Sequence, residues 1–240
     1  QCFISRIIPQ IIVFHSNIQH LVQNRVPDVQ RAATLMFYYN EMSVKEIAQT
    51  MKVSENTVKS RLNYARKAIK EKVLDYARSI LDHGYPAGIL MLDDCWNQDY
   101  GVWEFDAARF PDPKAMMEQL HSMGFSVMLW TCPFISPDSR QFRYLESKGL
   151  LIKNANGETY ITKWWNGYSA VLDLTNDEAV AWYIEQADRL VRDYDVDGFK
   201  MDAGDPEFYP EDCAFHKPMR RAWQSHLWAE IGSYYPMNEL

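Results

Sequence analysis

The chain has 240 residues, 47% hydrophobic and 24% charged, a composition that supports a core in one large or two modest domains. No apolar run reaches membrane-spanning length, and four scattered cysteines (Cys2, Cys95, Cys132, Cys213) without a C-x-x-C pair argue against a zinc site or a disulfide framework. The net charge of −7 is split: residues 1–72 carry 11 Lys/Arg against 5 Asp/Glu, and the rest 14 against 27. A basic nucleic-acid-facing part joined to an acidic, enzyme-like part has this signature, and so in some measure does an ordinary solvated surface.

Taken in chain order, residues 1–25 carry weak signals and no assignable function. The apolar stretch Ile7–Phe14 is broken by Pro9 and Gln10 and lacks the charged lead-in and cleavage site of a signal peptide, so a cytoplasmic location is expected. The chain begins with Gln1 and reads as a fragment. A short helix is expected over Ile18–Val22, and a helical, mostly apolar pattern starts at Pro27. Ser43 with Glu46 has capping-box spacing and predicts a helix over Val44–Met51. After the turn Lys52-Val53, Ser54 caps a basic helix from Glu55 to about Lys72.

The rhythm then changes. An amphipathic helix Val73–His83 ends at Gly84, and a buried strand Ala87–Leu92 leads to Asp93-Asp94-Cys95-Trp96. Pro111-Asp112-Pro113 opens a helix through Met123, followed by the strand Phe125–Trp130 and the helix Ser139–Lys148. Leu150–Thr162 reads as a hairpin around Asn156-Gly157. A long helix Asn176–Tyr194 precedes the strand Gly198–Met201, which ends in Asp202. Strands separated by such helices argue for parallel βαβ units, and three strands are counted where a closed barrel needs eight. The expected fold class is therefore α/β: a partial β/α (TIM-type) barrel preceded by a small all-α helix-turn-helix segment.

Two short helices around a tight turn, the second one basic, suit a recognition helix for the DNA major groove. Thr57, Lys59, Ser60, Arg61, Asn63 and Arg66 fall on or near its exposed face, while Ile47, Ala48, Val53, Val58 and Leu62 turn inward. The plainer alternative is a helical hairpin with a solvated basic face. The wording Val26-Pro27-Asp28-Val29-Gln30-Arg31, Met42–Ala48, Val53–Leu62 and Ala65-Arg66-Lys67-Ala68 resembles region 4 of sigma-70-type RNA polymerase sigma factors over about residues 26–70. That resemblance implies promoter DNA and the polymerase core as partners. No segment resembles region 2.

Cleaving a glycosidic bond needs two carboxyl groups flanking the anomeric carbon. Asp93, Asp94 and Asp202 stand at strand ends, with Trp96, Trp130, Trp164 and Trp165 at or near them. Any one of these has a plainer role, a tryptophan in the core or a carboxylate in a cap or ion pair. Together, Leu92–Trp96, Arg109–Pro113, Met128–Phe134, Trp164–Gly167, Asp173–Asn176 and Gly198–Asp205 resemble glycoside hydrolase family 31 over about residues 71–240. The wording at Trp165-Asn166-Gly167 and Lys200–Asp205 looks nearest to an α-galactosidase-like branch.

That resemblance implies an α-linked sugar substrate, probed by Asp202 as the nucleophile of a retaining mechanism. It implies Asp93, Asp94 and Lys200 as hydroxyl contacts, and Trp130 and Trp165 as walls of the glycone subsite. No metal or cofactor is expected. The family's acid/base aspartate lies on a later strand, and its first barrel strand and β-sandwich are also not recognised, so the chain is expected to be inactive alone. Asp205, three residues from Asp202, is a poor substitute. The two resemblances abut within helical sequence without a linker, as in a fused or misassembled reading frame. The alternative function is a sigma-like DNA-binding module with a non-catalytic appendage.

Overall fold

The computed structural model describes residues 11–14, 32–33, 36, 42–107, 109–209, 211, 214–218 and 220–239. In chain order the elements are strand β1 (Ile11–Phe14), helices α1 (Val44–Met51) and α2 (Glu55–Asp82), and strands β2 (Ile89–Leu92), β3 (Asn97–Asp99) and β4 (Val102–Phe105). Helix α3 (Pro113–Ser122), strands β5 (Ser126–Thr131) and β6 (Phe134–Ile135), and helix α4 (Arg140–Lys148) follow. The remainder is β7 (Ile161–Trp164), β8 (Gly167–Val171), α5 (Asp177–Tyr194), β9 (Gly198–Met201), a 3-10 turn (Pro206–Phe208), α6 (Ala222–Gly232) and β10 (Met237–Glu239).

The capping box forms as spaced: the Ser43 amide donates to Glu46 Oε2 at 2.8 Å and the Glu46 amide to Ser43 Oγ at 3.3 Å. Lys52 takes a left-handed turn at φ 53° and stops α1, and the Ser54 hydroxyl accepts the Thr57 amide to start α2. Between Glu55 and Asp82 there is neither glycine nor proline, so the two helices expected from the sequence are one helix of 28 residues. Ala33, Ile47, Ala48 and Val58 form a small core of their own between α1 and α2. Val58 is fully buried there, so Val58→Asp should melt the pair, because an unpaired buried charge costs several kcal/mol. Amide exchange over residues 44–61 should rise steeply while α3 stays protected.

The main sheet has five parallel strands in the order β1-β2-β5-β9-β10, which is their order along the chain. A doubly wound sheet reverses its strand order at a switch point, whereas an arc of a β/α barrel runs on without reversal. The expected partial barrel is therefore observed, with five strands among the described residues where three were counted. β1 was not expected as a strand, yet it pairs with β2 from Ile11↔Ile89 to Phe14↔Leu92. Its run Ile-Ile-Val-Phe has high β-propensity, and its partner is far away in sequence, which hid the pairing. The helix expected over Ile18–Val22 lies outside the described residues.

Strand register sorts the side chains into two layers. Leu90, Leu92, Val127, Leu129 and Phe199 join the main core, where α3 and α5 contribute Met116, Leu120, Tyr183 and Leu190. Ile89, Met91 and Met128 cluster on the other face with Met237. The hairpin expected around Asn156-Gly157 shrinks to one bridge, Lys153↔Thr159, because the Asn154 side chain accepts from the amides of Asn156 and Glu158 and closes a compact turn. The longer hairpin is instead β7–β8, paired from Ile161↔Ala170 to Trp164↔Gly167, with Trp165-Asn166 as its two-residue tip. Gly167 at φ 104° permits that tight return.

Candidate active site

The inner layer ends in polar groups. Trp130 is in register with Lys200, two residues beyond Met128 and Gly198. Asp93 follows the Leu92↔Leu129 pair and reaches the same level. Asp202 comes one residue after β9, and its amide still donates to the Thr131 carbonyl at 2.9 Å. Strand ends thus converge on one rim, the C-terminal one, where barrels carry their sites.

Asp202 is held from four directions. Its Oδ2 accepts the Trp130 indole N–H at 2.6 Å, and its Oδ1 accepts the Ala203 amide at 2.8 Å. Its carbonyl accepts the Trp228 indole at 3.0 Å. The Lys200 ammonium lies 3.7 Å from Asp202 Oδ2 and 3.9 Å from Asp93 Oδ1, bridging the two carboxylates. Ala203 adopts φ 61°, a conformation costing a non-glycine residue about 1–3 kcal/mol, which turns the chain sharply away after the carboxylate. A cavity of about 340 Å³ opens beside this loop, lined by Asp202, Gly204, Asp205, Ser225 and Trp228 among others.

Asp94 faces a different set of partners. The Tyr100 hydroxyl lies 3.1 Å from each of its carboxylate oxygens, the Asn166 amide nitrogen 3.3 Å from Oδ2, and the Cys95 amide 2.6 Å from Oδ1. Asn166 also touches the Tyr100 hydroxyl. Burial raises the Asp94 carboxyl above its ordinary range, against the hydrogen bonds from Tyr100 and Cys95 that lower it. Burial, then the Asp94 charge, pushes the Tyr100 phenol up, so it stays a donor. The same two causes push the Cys95 thiol up to about 11, which keeps it neutral at pH 7 and a poor nucleophile.

Trp130 is buried, while Trp165 is 58% exposed at the hairpin tip. Ring contacts run from Trp130 to Tyr100 (6.1 Å), Trp164 (4.7 Å from Tyr100), Trp165 (5.0 Å) and Phe208 (5.7 Å). The structure therefore brings Asp93, Lys200, Trp130 and Asp202 into direct contact, and joins Asp94 and Trp165 to them through Tyr100 and Trp164. Sequence reasoning passed over Tyr100 and Trp228, while Trp96, expected near a strand end, donates its indole N–H to the Trp130 carbonyl at 2.7 Å. Tyr100 stands in a β-hairpin turn beside Gly101, and that placement was its one available signal.

In the helix pair, Lys59 and Ser60 are exposed as expected. Thr57 and Arg61, expected on or near that face, are half-buried. Thr57 is spent on the Ser54 cap, and the Arg61 guanidinium lies 3.7 Å from the Met51 sulfur. The side chains of Asn63 and Arg66 lie outside the described residues. Among the described residues no group of His, Cys, Asp and Glu forms a metal site, and no helix is long and apolar enough to cross a membrane.

Comparison with known proteins gives two family matches. The glycosyl hydrolases family 31 TIM-barrel domain matches residues 48–239, and sigma-70 region 4 matches residues 23–69. The chain is 34% identical to the myogenesis-regulating glycosidase of Mus musculus over 65% of its own length and 22% of that protein's. It is 30% identical to alpha-xylosidase XylQ of Lactiplantibacillus pentosus, over 57% of its own length and 18% of the relative's. The chain thus spans about a fifth of these curated relatives. Among solved structures, a GH31 alpha-xylosidase from a soil metagenome, complexed with xylose, superposes with TM-score 0.63 at 24% identity, covering 69% of this chain and 25% of that one. A Flavobacterium johnsoniae GH31 dextranase gives 0.61 at 21%, covering 69% and 22%.

Proposed function

The chain belongs to glycosyl hydrolase family 31, and from that premise we propose that it carries the nucleophile half of a retaining α-glycosidase centre, with Asp202 as the nucleophile. The observation that carries this is the Asp202 carboxylate at a strand end, held by the Trp130 indole at 2.6 Å with the Lys200 ammonium at 3.7 Å. A carboxylate so held is aimed before the sugar arrives. Its oxygen attacks C1, the bond from C1 to the leaving-group oxygen breaks as that oxygen takes a proton from the second carboxyl group of the catalytic pair, and a glycosyl ester forms. Water then opens the ester, and two inversions give net retention. Lys200 has three donors and two carboxylate neighbours, so it has capacity for a sugar hydroxyl. Asp93 accepts from hydroxyls on the other side, and Trp165 stands at the rim where a sugar face can stack.

An α-galactoside is the substrate we assign, on the sequence of the Trp165-Asn166-Gly167 tip and the Lys200–Asp205 loop. The test is covalent trapping with 5-fluoro α-glycosyl fluorides. Fluoride departs without protonation, so the reagent interrogates the nucleophile whether or not an acid/base is present. Mass spectrometry should find one adduct on the peptide containing Asp202, formed fastest with the galacto reagent, and Asp202→Asn should form none. An adduct elsewhere, or one that survives in Asp202→Asn, rejects the nucleophile assignment. Faster trapping by the gluco or xylo reagent rejects only the galactoside.

A second reading concerns the capped pair α1–α2, which presents exposed Lys59 and Ser60 and matches sigma-70 region 4. If it faces promoter DNA, Lys59→Ala lowers the log–log salt slope of binding by about 0.9. Arg61→Ala should instead act through the Met51 contact and loosen the pair. A shift assay in which Lys59→Ala leaves the slope unchanged assigns that lysine to solvation.

A further inference from the structure

We infer that Asp94 is a positioning residue that clasps two hairpin tips across the mouth of the site, and that sugar hydroxyls are read by Asp93 instead. A carboxylate has about four acceptor positions. Those of Asp94 meet the Cys95 amide at 2.6 Å, the Tyr100 hydroxyl shared at 3.1 Å between both oxygens, and the Asn166 amide at 3.3 Å. A sugar hydroxyl arriving there has to displace a donor supplied by the protein, and the exchange gains nothing. Asp93 spends Oδ1 on the Asp94 amide at 3.0 Å and stands 3.9 Å from the Lys200 ammonium, within the layer that holds Asp202.

The donors come from separate elements. Tyr100 belongs to the turn between β3 and β4, and Asn166 to the tip between β7 and β8. Asp94 therefore ties the end of β2 to both hairpins. The ring contacts from Trp130 through Tyr100 and Trp164 to Trp165 make one wall out of the three. Removing the clasp should release the Trp165 wall, which affects every glycone alike. Loss of a hydroxyl ligand would penalise only sugars that carry that hydroxyl.

The sugar-facing half of this inference rests on the glycosidase reading, while the clasp itself does not. Hydrogen exchange over residues 164–168 tests the clasp without any sugar. In Tyr100→Phe and in Asp94→Ala the tip amides should exchange about 10-fold faster, consistent with one lost hydrogen bond, and the double variant should be no faster than the singles. Asn166→Ala, on the exposed tip, gives the same readout should Asp94→Ala fail to fold. Unchanged exchange in Tyr100→Phe and Asn166→Ala overturns the clasp.

Trapping tests the role at the sugar. Each variant should raise the reagent's KI by about 3- to 10-fold, equally for galacto, gluco and xylo forms, with the saturating rate within twofold. A loss confined to reagents bearing the hydroxymethyl group, which the xylo form lacks, overturns the positioning role and makes Asp94 a ligand. Absence of any adduct in the unsubstituted chain rejects the glycosidase reading, and the exchange result then decides the clasp alone.

Discussion

Trp130→Phe should slow formation of the glycosyl adduct on Asp202 by about 10- to 150-fold, with little change in KI. The indole N–H is a donor to a carboxylate, at 2.6 Å and in a buried position, and such bonds are worth about 1.5–3 kcal/mol. At about 1.4 kcal/mol per tenfold change in rate, that range gives the factor stated. Phenylalanine retains a ring where Trp130 meets Tyr100 edge-on, so the wall stays and the donor goes. Without it, Asp202 keeps the Ala203 amide on Oδ1 and the Lys200 ammonium near Oδ2, and Oδ2 loses the short hydrogen bond that aims it. Comparing saturating trapping rates, with melting temperature measured alongside, separates this from a simple loss of packing. An unchanged rate would reduce Trp130 to a subsite wall.

Gly198→Ala should be the most damaging small substitution in the barrel arc. A Cβ at position 198 would fall on the Met237 carbonyl oxygen and come within 2.6 Å of its carbonyl carbon. Those are main-chain atoms of the neighbouring strand, paired at Met237↔Gly198, so no side-chain rotation relieves the overlap. Overpacking of this kind costs about 1–3 kcal/mol and at times more, and an unyielding backbone puts this site at the top of that range. For a chain of this size, about 3 kcal/mol lowers the melting temperature by roughly 6–12 °C. Because Lys200 sits two residues on, trapping should also suffer. Gly204→Ala meets the Trp228 ring at 3.1 Å and closer, and should disturb the Asp202 loop more than the sheet. A melting temperature within 2 °C of the parent would show that β10 contributes little to holding the sheet.

Legibility followed how local the signal was. β9 and its terminal Asp202 were readable because the apolar run, the carboxylate and the glycine break lie within eight residues. α1 was readable from the Ser43–Glu46 spacing, and its bounds coincide with those expected. β1 escaped because its pairing with Ile89–Leu92 is remote, and nothing within four residues announces a partner so far along the chain. The β7–β8 hairpin escaped for another reason: Asn156-Gly157 is a strong turn signal, but the Asn154 side chain uses it up in a local turn. Tyr100 was passed over because its one signal, a place beside Gly101, marks a turn and not a role. Its role arises from the meeting of two hairpins, and only tertiary structure supplies that.

Helix α2 runs without interruption from the Ser54 cap to Asp82, through the residues shared by the two family matches. Its 28 residues span about 42 Å, and each residue advances the azimuth by about 100°. The helix therefore works as a phase-locked shaft. One residue inserted between positions 62 and 72 would swing α1 by more than a quarter turn about the shaft axis, and two would bring it more than halfway round. Four, close to a whole turn, would nearly restore the original azimuth at about 6 Å greater separation. Tolerance to insertions along this stretch should consequently be periodic, with lengths of three and four residues favoured over one and two.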